Sequence, residues 1–220
     1  MLNPPIRKVL DRLYDRYGRP EYSGPDDLLG TLVRTILSQN TNRQNTDRSF
    51  ARLMDTFGGD WQRIAEAPTE AVVDAIEIGG LARQKAPRIQ SILRDVRRER
   101  GEYSLEHLRD EGVDEAQSFL EAFKGVGPKT AKFTLMYAGG MPVFPMDTHI
   151  LRLCERLGWT DPKAGSRQAH DFMEPRIPQG EHYAAHIAMI RHGRQTCHAR
   201  SPDCSDCTLL DLCPYGQNHS

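Results

Sequence analysis

The chain has 220 residues, with 29 lysines and arginines against 30 acidic residues and a net charge of −1. That length buries a sizeable core in one large domain or two small ones. Near-neutrality argues against indiscriminate coating of nucleic acid but leaves room for a local basic patch. A mean hydropathy of −0.60, with no apolar run near ~20 residues, excludes a membrane-spanning helix.

The first segment, MLNPPIRKVLDRLYDRYG, has no apolar h-region. Its interspersed charges predict an amphipathic helix rather than a signal or transit peptide, and so a reducing, cytoplasmic compartment. Asn3 is expected as its N-cap with Pro4 at N1, followed by Ile6, Val9, Leu10, Leu13, Tyr14 and Tyr17 on one face up to Gly18. Asp26 and Asp27 lead into a second helix whose Leu28, Leu29, Leu32, Val33, Ile36 and Leu37 also share one face. Phe50, Leu53, Met54 and Phe57 mark a third, stopped by Gly58 and Gly59. Thr69 is expected to cap AVVDAI, and LARQKAPRIQSILRDVRRERG carries Ile89, Ile92, Leu93 and Val96 at helical spacing. Asp114 with Gln117 suggests a capping box opening a helix through Phe123. TAKFTLMYAGG, DTHILRLCERLGW and HYAAHIAMIRHG complete the series, with a further start at Asp161-Pro162. No alternating run of β-branched residues survives outside these segments, so the expected fold is all-α. YAGGMPVFP, with two glycines and two prolines, reads as a hinge between two helical subdomains. Charge is patterned as well: residues 83–100 carry seven basic side chains against two acids, and residues 101–121 carry seven acids against Arg109. On charge alone this is a solvated helix face followed by an acidic connector.

Three stretches carry chemistry. In FKGVGPKTAKFTLMY, Gly125 and Gly127 flank Val126, and a helix is expected to begin near Pro128. Glycines that accept positive φ leave backbone N–H groups uncovered, and the positive helix end points the same way, a shallow anion site suited to a phosphodiester. Lys129 falls in that first turn, where it is either a phosphate contact or, as the neutral amine, a nucleophile. Eighteen residues on, Asp147 in PMDTHILRL is a natural N-cap. A fixed carboxylate there could also stabilise an oxocarbenium-like sugar or move protons. Finally, Cys197, Cys204, Cys207 and Cys213 have the spacing C-x6-C-x2-C-x5-C. Four thiolates so spaced suit tetrahedral zinc or a [4Fe–4S] cluster, and spacing alone leaves both open. Cys154 stands apart as a buried apolar residue.

GVG-x-KTA followed by DTH, then HGRQTC, then the four cysteines resembles endonuclease III of the helix-hairpin-helix DNA glycosylases, over nearly the whole chain and in the family's order. The resemblance implies a six-helix barrel domain over residues 23–139, with its hairpin at about 123–130. It implies a discontinuous [4Fe–4S] domain from residues 1–22 and 140–220, with the cluster loop at 197–213, and an active site in the cleft between them. Lys129 would attack C1′ of a damaged nucleotide, form a Schiff base and cleave 3′ to the lesion by β-elimination, with Asp147 assisting base departure. Gly125, Val126 and Gly127 would hold the DNA backbone, as would Arg200 in the cluster loop. Gln39 in TILSQNTN would fill the hole left by the flipped base, and Leu81 in IGGLARQK would wedge into the opposite strand. Asn42, Glu121 and His149 match pocket-lining positions, with Asn42 standing where many members have an aspartate. Lys124 and Pro128 also depart from the usual LPGVGRKTA, and Ser201 and Asp203 dilute the basic character of the cluster loop. The implied function is a bifunctional glycosylase and AP lyase for oxidised pyrimidines. It would act as a nucleoid-associated monomer on damaged double-stranded DNA, with no membrane partner. A monofunctional relative and a catalytically weak DNA-binding Fe–S protein are the alternatives.

Overall fold

Helix is the only regular structure among the described residues, which in the computed structural model are 3–24, 26–161 and 166–219. In chain order the α-helices are α1 (Ile6–Tyr17), α2 (Leu28–Leu37), α3 (Arg43–Phe57), α4 (Trp61–Glu66), α5 (Thr69–Ile76), α6 (Ala82–Arg100), α7 (Val113–Glu121), α8 (Pro128–Tyr137), α9 (Thr148–Arg156), α10 (Ser166–Met173), α11 (His182–Gln195) and α12 (Pro214–Gln217). They divide between a middle unit, Pro25–Met141, and a terminal unit made of Met1–Gly24 and Pro142–Ser220.

The middle unit is organised around α2. Its Leu28, Leu29, Gly30, Thr31, Leu32, Val33, Ile36 and Leu37 are all buried, so the one-faced helix read from the sequence is in fact enclosed by α3, α6 and α8. Asp27 caps it, its carboxylate accepting from the N–H groups of Leu29 at 3.0 Å and Gly30 at 2.9 Å. A Cβ on Gly30 would lie 2.5 Å from Asp27 Oδ2, so a larger residue there would make the capping carboxylate shift. The long helix α6 lays Ile89, Ile92, Leu93 and Val96 into the same core and packs on α4 and α5.

The terminal unit packs α1 on α11, and α9 on α10, α11 and α12. Val9, Leu10 and Leu13 from the first chain end meet Phe144, Ile150, Leu153, Leu157 and Met189 from the second, in a core that also takes in Cys154, Cys197 and Cys213. Gly193 on α11 permits close approach to α9, since a Cβ there would sit 2.6 Å from that of His149.

Three expected caps fall elsewhere. Helix α1 begins at Ile6 with Pro5 as N-cap, because a residue followed by proline is driven out of the α region, and Pro4 is followed by Pro5. The carbonyl of Pro4 accepts from Trp159 Nε1 at 2.8 Å instead. Thr69 is the first residue of α5 rather than its cap, and its hydroxyl bonds Gln90 Oε1 on α6 at 2.8 Å. Helix α7 starts at Val113 with Gly112 as N-cap, so Asp114 caps nothing, and Gln117 reaches forward to Glu121 Oε1 at 2.6 Å. The start expected at Asp161-Pro162 lies partly outside the described residues; α10 is described from Ser166.

Candidate functional site

In the middle unit α7 and α8 form a helical hairpin whose turn is anchored by buried Phe123 and Val126, with the Val126 N–H on the Phe123 carbonyl at 3.0 Å. The two glycines do different things. Gly125 has φ +86°, and a Cβ there would meet Arg88 Nε at 2.6 Å. Gly127 is extended, with φ −109° and ψ 177°, which corrects the expectation that both glycines serve positive φ. A Cβ on Gly127 would meet nothing within 4 Å, so its bare face is open rather than filled from inside. As N-cap of α8 it brings no side chain, and Pro128 at N1 has no N–H. The N–H groups of Lys129 and Thr130 therefore face outward without an intrahelical acceptor, at the positive end of the helix. Lys129 itself is exposed on that first turn; Lys124 is exposed in the turn before it, and Lys132 is buried. Glu121, half-buried at the end of α7, holds the amide of Gln117.

Gln39 and Leu81 lie in two loops of the same unit. Gln39 follows α2, is half-buried, and accepts from Arg88 Nη1 at 2.9 Å. Leu81 precedes α6 in the left-handed region with φ 53°, and at 43% exposure it is one of two large hydrophobics described as exposed. A leucine that is both strained and solvent-facing is not the core residue its apolar character alone would suggest. Asn42 is exposed and is the N-cap of α3, its Oδ1 accepting from the Asn45 N–H at 2.9 Å. Aspartate and asparagine cap about equally well, so the departure at this position leaves the helix start intact.

In the terminal unit Asp147 is the N-cap of α9, as expected. It is 9% exposed, and its Oδ1 alone takes both cap bonds, from the N–H groups of His149 and Ile150 at 2.9 Å each. That leaves Oδ2 for other work. His149 is half-buried, with Nδ1 3.0 Å from Arg152 Nη2.

Cys197, Cys204, Cys207 and Cys213 all line one pocket, together with Arg156, His192, Leu209 and Tyr215 among others. Hydrogen bonds converge on the sulfurs. Arg156 Nη1 donates to Cys197 Sγ at 3.0 Å, and the N–H groups of Leu209 and Gly216 donate to Cys207 and Cys213 Sγ at 3.4 Å each. Burial pushes the Cys207 thiol up to about 11 and raises Cys213 likewise, so a cation must displace these protons if the sulfurs are to become ligands. Cys154 is fully buried on α9 and lies outside this pocket. The following loop is held by Arg152, which donates to the carbonyls of Cys197 at 3.0 Å and Gly193 at 2.8 Å, and by Arg156, which donates to that of His198 at 2.7 Å. Arg200 is exposed, and Asp203 faces His198 at 3.5 Å.

The sequence pattern of the HhH-GPD superfamily of base excision DNA repair proteins matches residues 33–179. The chain belongs to this superfamily. Endonuclease III of Sulfolobus acidocaldarius is 31% identical over 190 residues, which is 86% of this chain and 82% of the relative. This puts the protein in the endonuclease III branch of the DNA glycosylases. A protein of Arabidopsis thaliana named as a candidate DNA glycosylase is 36% identical over 169 residues, and the alignment spans 77% of this chain but 57% of that longer protein. A solved endonuclease III in a trapped covalent complex with DNA has the same fold, with a TM-score of 0.81 at 26% identity, covering 97% of this chain and 96% of that one.

Within this family frame, Gln39, Leu81 and the Gly125–Gly127 turn fall in the middle unit with Lys129, while Asp147, His149, Arg200 and the cysteines fall in the terminal unit. Arg88, Arg152 and Arg156 escaped the sequence reading. For the α9 pair, the spacing of two arginines four apart in DTHILRLCER was a signal of a shared face; for Arg88, one arginine among seven basic residues, no signal existed. No three His, Cys, Asp or Glu side chains among the described residues gather closely enough to hold a single metal ion. Four thiols line one pocket, with N–H donors directed at three of them, a donor set suited to a group ligated by four cysteines.

Proposed function

We propose that this protein is a bifunctional DNA glycosylase and AP lyase that removes oxidised pyrimidines from damaged double-stranded DNA. The observation that carries this reading is the exposed Lys129 amine on the first turn of α8, beside uncapped N–H groups and the open face of Gly127. A phosphodiester seated on that helix end would bring the adjacent sugar to the amine. The neutral amine attacks C1′, the C1′–N bond breaks, and the base leaves with the bonding electrons and takes up a proton. The C1′–O4′ bond of the resulting aminal then opens, O4′ taking up a proton, to give an imine that acidifies the C2′ proton; loss of that proton expels the 3′ phosphate and cuts the strand. Asp147, with Oδ2 uncommitted to the cap, is the group we assign to base departure and the associated proton transfers. Gln39 and Leu81 replace the flipped nucleotide and wedge the opposite strand, offsetting unstacking that costs a few kcal/mol. Exposed Arg200 would add a phosphate contact, and Asn42, Glu121 and His149 would lie near the extruded base.

We assign a [4Fe–4S] cluster to Cys197, Cys204, Cys207 and Cys213, on the likeness to endonuclease III and on the four thiols that line one pocket. With four protein thiolates it would supply a structural tie for the terminal unit, and the cysteine sulfurs would keep the hydrogen bonds described above.

The direct test is a duplex carrying one thymine glycol, incubated with purified protein and borohydride. A covalent protein–DNA band is the expected outcome; tight lesion binding without a band would rule out the lyase. Asp147→Asn separates cap from chemistry, because asparagine also caps well and stability should change by less than ~1 kcal/mol. Single-turnover base release should slow by about 100-fold or more while DNA affinity holds; equal losses in both would leave Asp147 as a cap alone. Leu81→Gly relieves a left-handed leucine worth roughly 1–2 kcal/mol, against a glycine entropy cost of about 0.5–1 kcal/mol. The melting temperature should therefore hold or rise while excision from fully paired duplex falls. A loss of stability would make Leu81 a packing residue.

A further inference from the structure

Helix α6 carries two basic side chains, three residues apart and so on one face, whose bonds end at the loops assigned above to the flipped-base gap and the opposite strand. Lys85 is 2% exposed, and its Nζ donates to the carbonyls of Leu37 at 2.7 Å and Gly79 at 2.9 Å. Those carbonyls lie two residues before Gln39 and two before Leu81. Gly79 lets this loop in, since a Cβ there would meet Ser49 Oγ at 2.6 Å. Arg88 then reaches the side chain itself, with Nη1 on Gln39 Oε1 at 2.9 Å. Its Nε and Cδ occupy the space where a Gly125 Cβ would stand, at 2.6 and 2.8 Å, so the same arginine lies against the hairpin turn.

We propose that Arg88 is a positioning residue that presets Gln39 for the opposite strand and ties its register to the hairpin turn, on a loop frame fixed by Lys85. The chemistry makes the orientation unambiguous. Arginine only donates, so the end of the Gln39 amide facing it is the oxygen, and the donor Nε2 is the end left for a base. The planar guanidinium lies against Gly125 with its stem and spends an edge on Gln39, which a lysine could not do. A phosphate contact at the hairpin and insertion of Gln39 are thereby coupled through one side chain rather than through two flexible loops. The inference rests on the proposed role of Gln39, and the experiment separates the two.

Gln39→Ala, Arg88→Met and the double variant are compared with the parent by single-turnover borohydride trapping on the same abasic site, in duplex and in single-stranded DNA. Methionine keeps an aliphatic stem over Gly125 and removes the guanidinium; thermal melts report folding. Each single variant should lower the duplex-to-single-strand rate ratio by about tenfold, and the double variant should be no worse than Gln39→Ala alone. Losses that multiply would make Arg88 an independent DNA contact and overturn the proposal. So would a fall in both rates that leaves the ratio untouched, which is the mark of structural damage, or an Arg88→Met ratio equal to the parent's while Gln39→Ala lowers it. A Gln39→Ala variant with the parent's ratio would remove the role of Gln39, and the inference with it.

Discussion

Replacing Lys129 by glutamine should abolish the covalent protein–DNA complex captured by borohydride. Glutamine keeps a polar side chain one atom shorter but has no basic amine, and without an amine no imine can form for borohydride to reduce. The fold has little reason to respond. Lys129 is exposed at the second position of α8, and the hairpin is held by buried Phe123 and Val126 and by the left-handed Gly125. Stability should stay within the roughly ±0.5 kcal/mol typical of surface substitutions. The chain has six lysines, and two of them flank the candidate. Lys124→Gln should keep the band, since that side chain lies in the turn rather than on the helix's first turn, while Lys132 is buried. A band surviving in Lys129→Gln would transfer the nucleophile to another amine and overturn the mechanism.

The second large effect is expected from the cysteine pocket. Cys204→Ala should yield protein without iron and with a terminal unit that no longer melts cooperatively. The segment from Cys197 onward contributes few apolar side chains; Cys197, Leu209 and Cys213 are its buried members in the core. Structural metal sites contribute on the order of 10 kcal/mol to folding, comparable to the entire 5–15 kcal/mol of a typical domain. Iron content, visible absorbance and far-UV circular dichroism should therefore fall together. Cys154→Ala is the matched control, since Cys154 is also a buried thiol in the same core but lies outside the pocket. It should cost only ~1–2 kcal/mol and leave iron unchanged. Full iron in Cys204→Ala, or its loss in Cys154→Ala, would break the ligand assignment.

How legible the chain was varies with how far each signal acts along the sequence. Helix α9 announced itself completely: Asp147 before an apolar periodicity is a local pattern, and the cap is found with both N–H groups on one carboxylate oxygen. The GVG turn and the cysteine spacing were readable for the same reason. The failures were of two kinds. Asn3, Thr69 and Asp114 have good capping chemistry, but a neighbouring proline, a partner on another helix and a glycine one step away decided those starts. Helix α2 looked one-sided because apolar spacing cannot say how many neighbours will surround it.

The all-α class, the glycine hairpin with its lysine, the aspartate cap and the four-cysteine set were therefore legible along the chain, because each depends on residues within a few turns of one another. What surrounds them emerged only from the folded chain. It showed that Gly125 is open for Arg88 and Gly127 open to the outside, that Leu81 is held strained and exposed, and that one face of α6 reaches both loops. Those facts join residues 6 to 49 positions apart, as the Lys85 and Arg88 bonds do. Such contacts are set by how helices pack, and neither propensity nor periodicity carries that information.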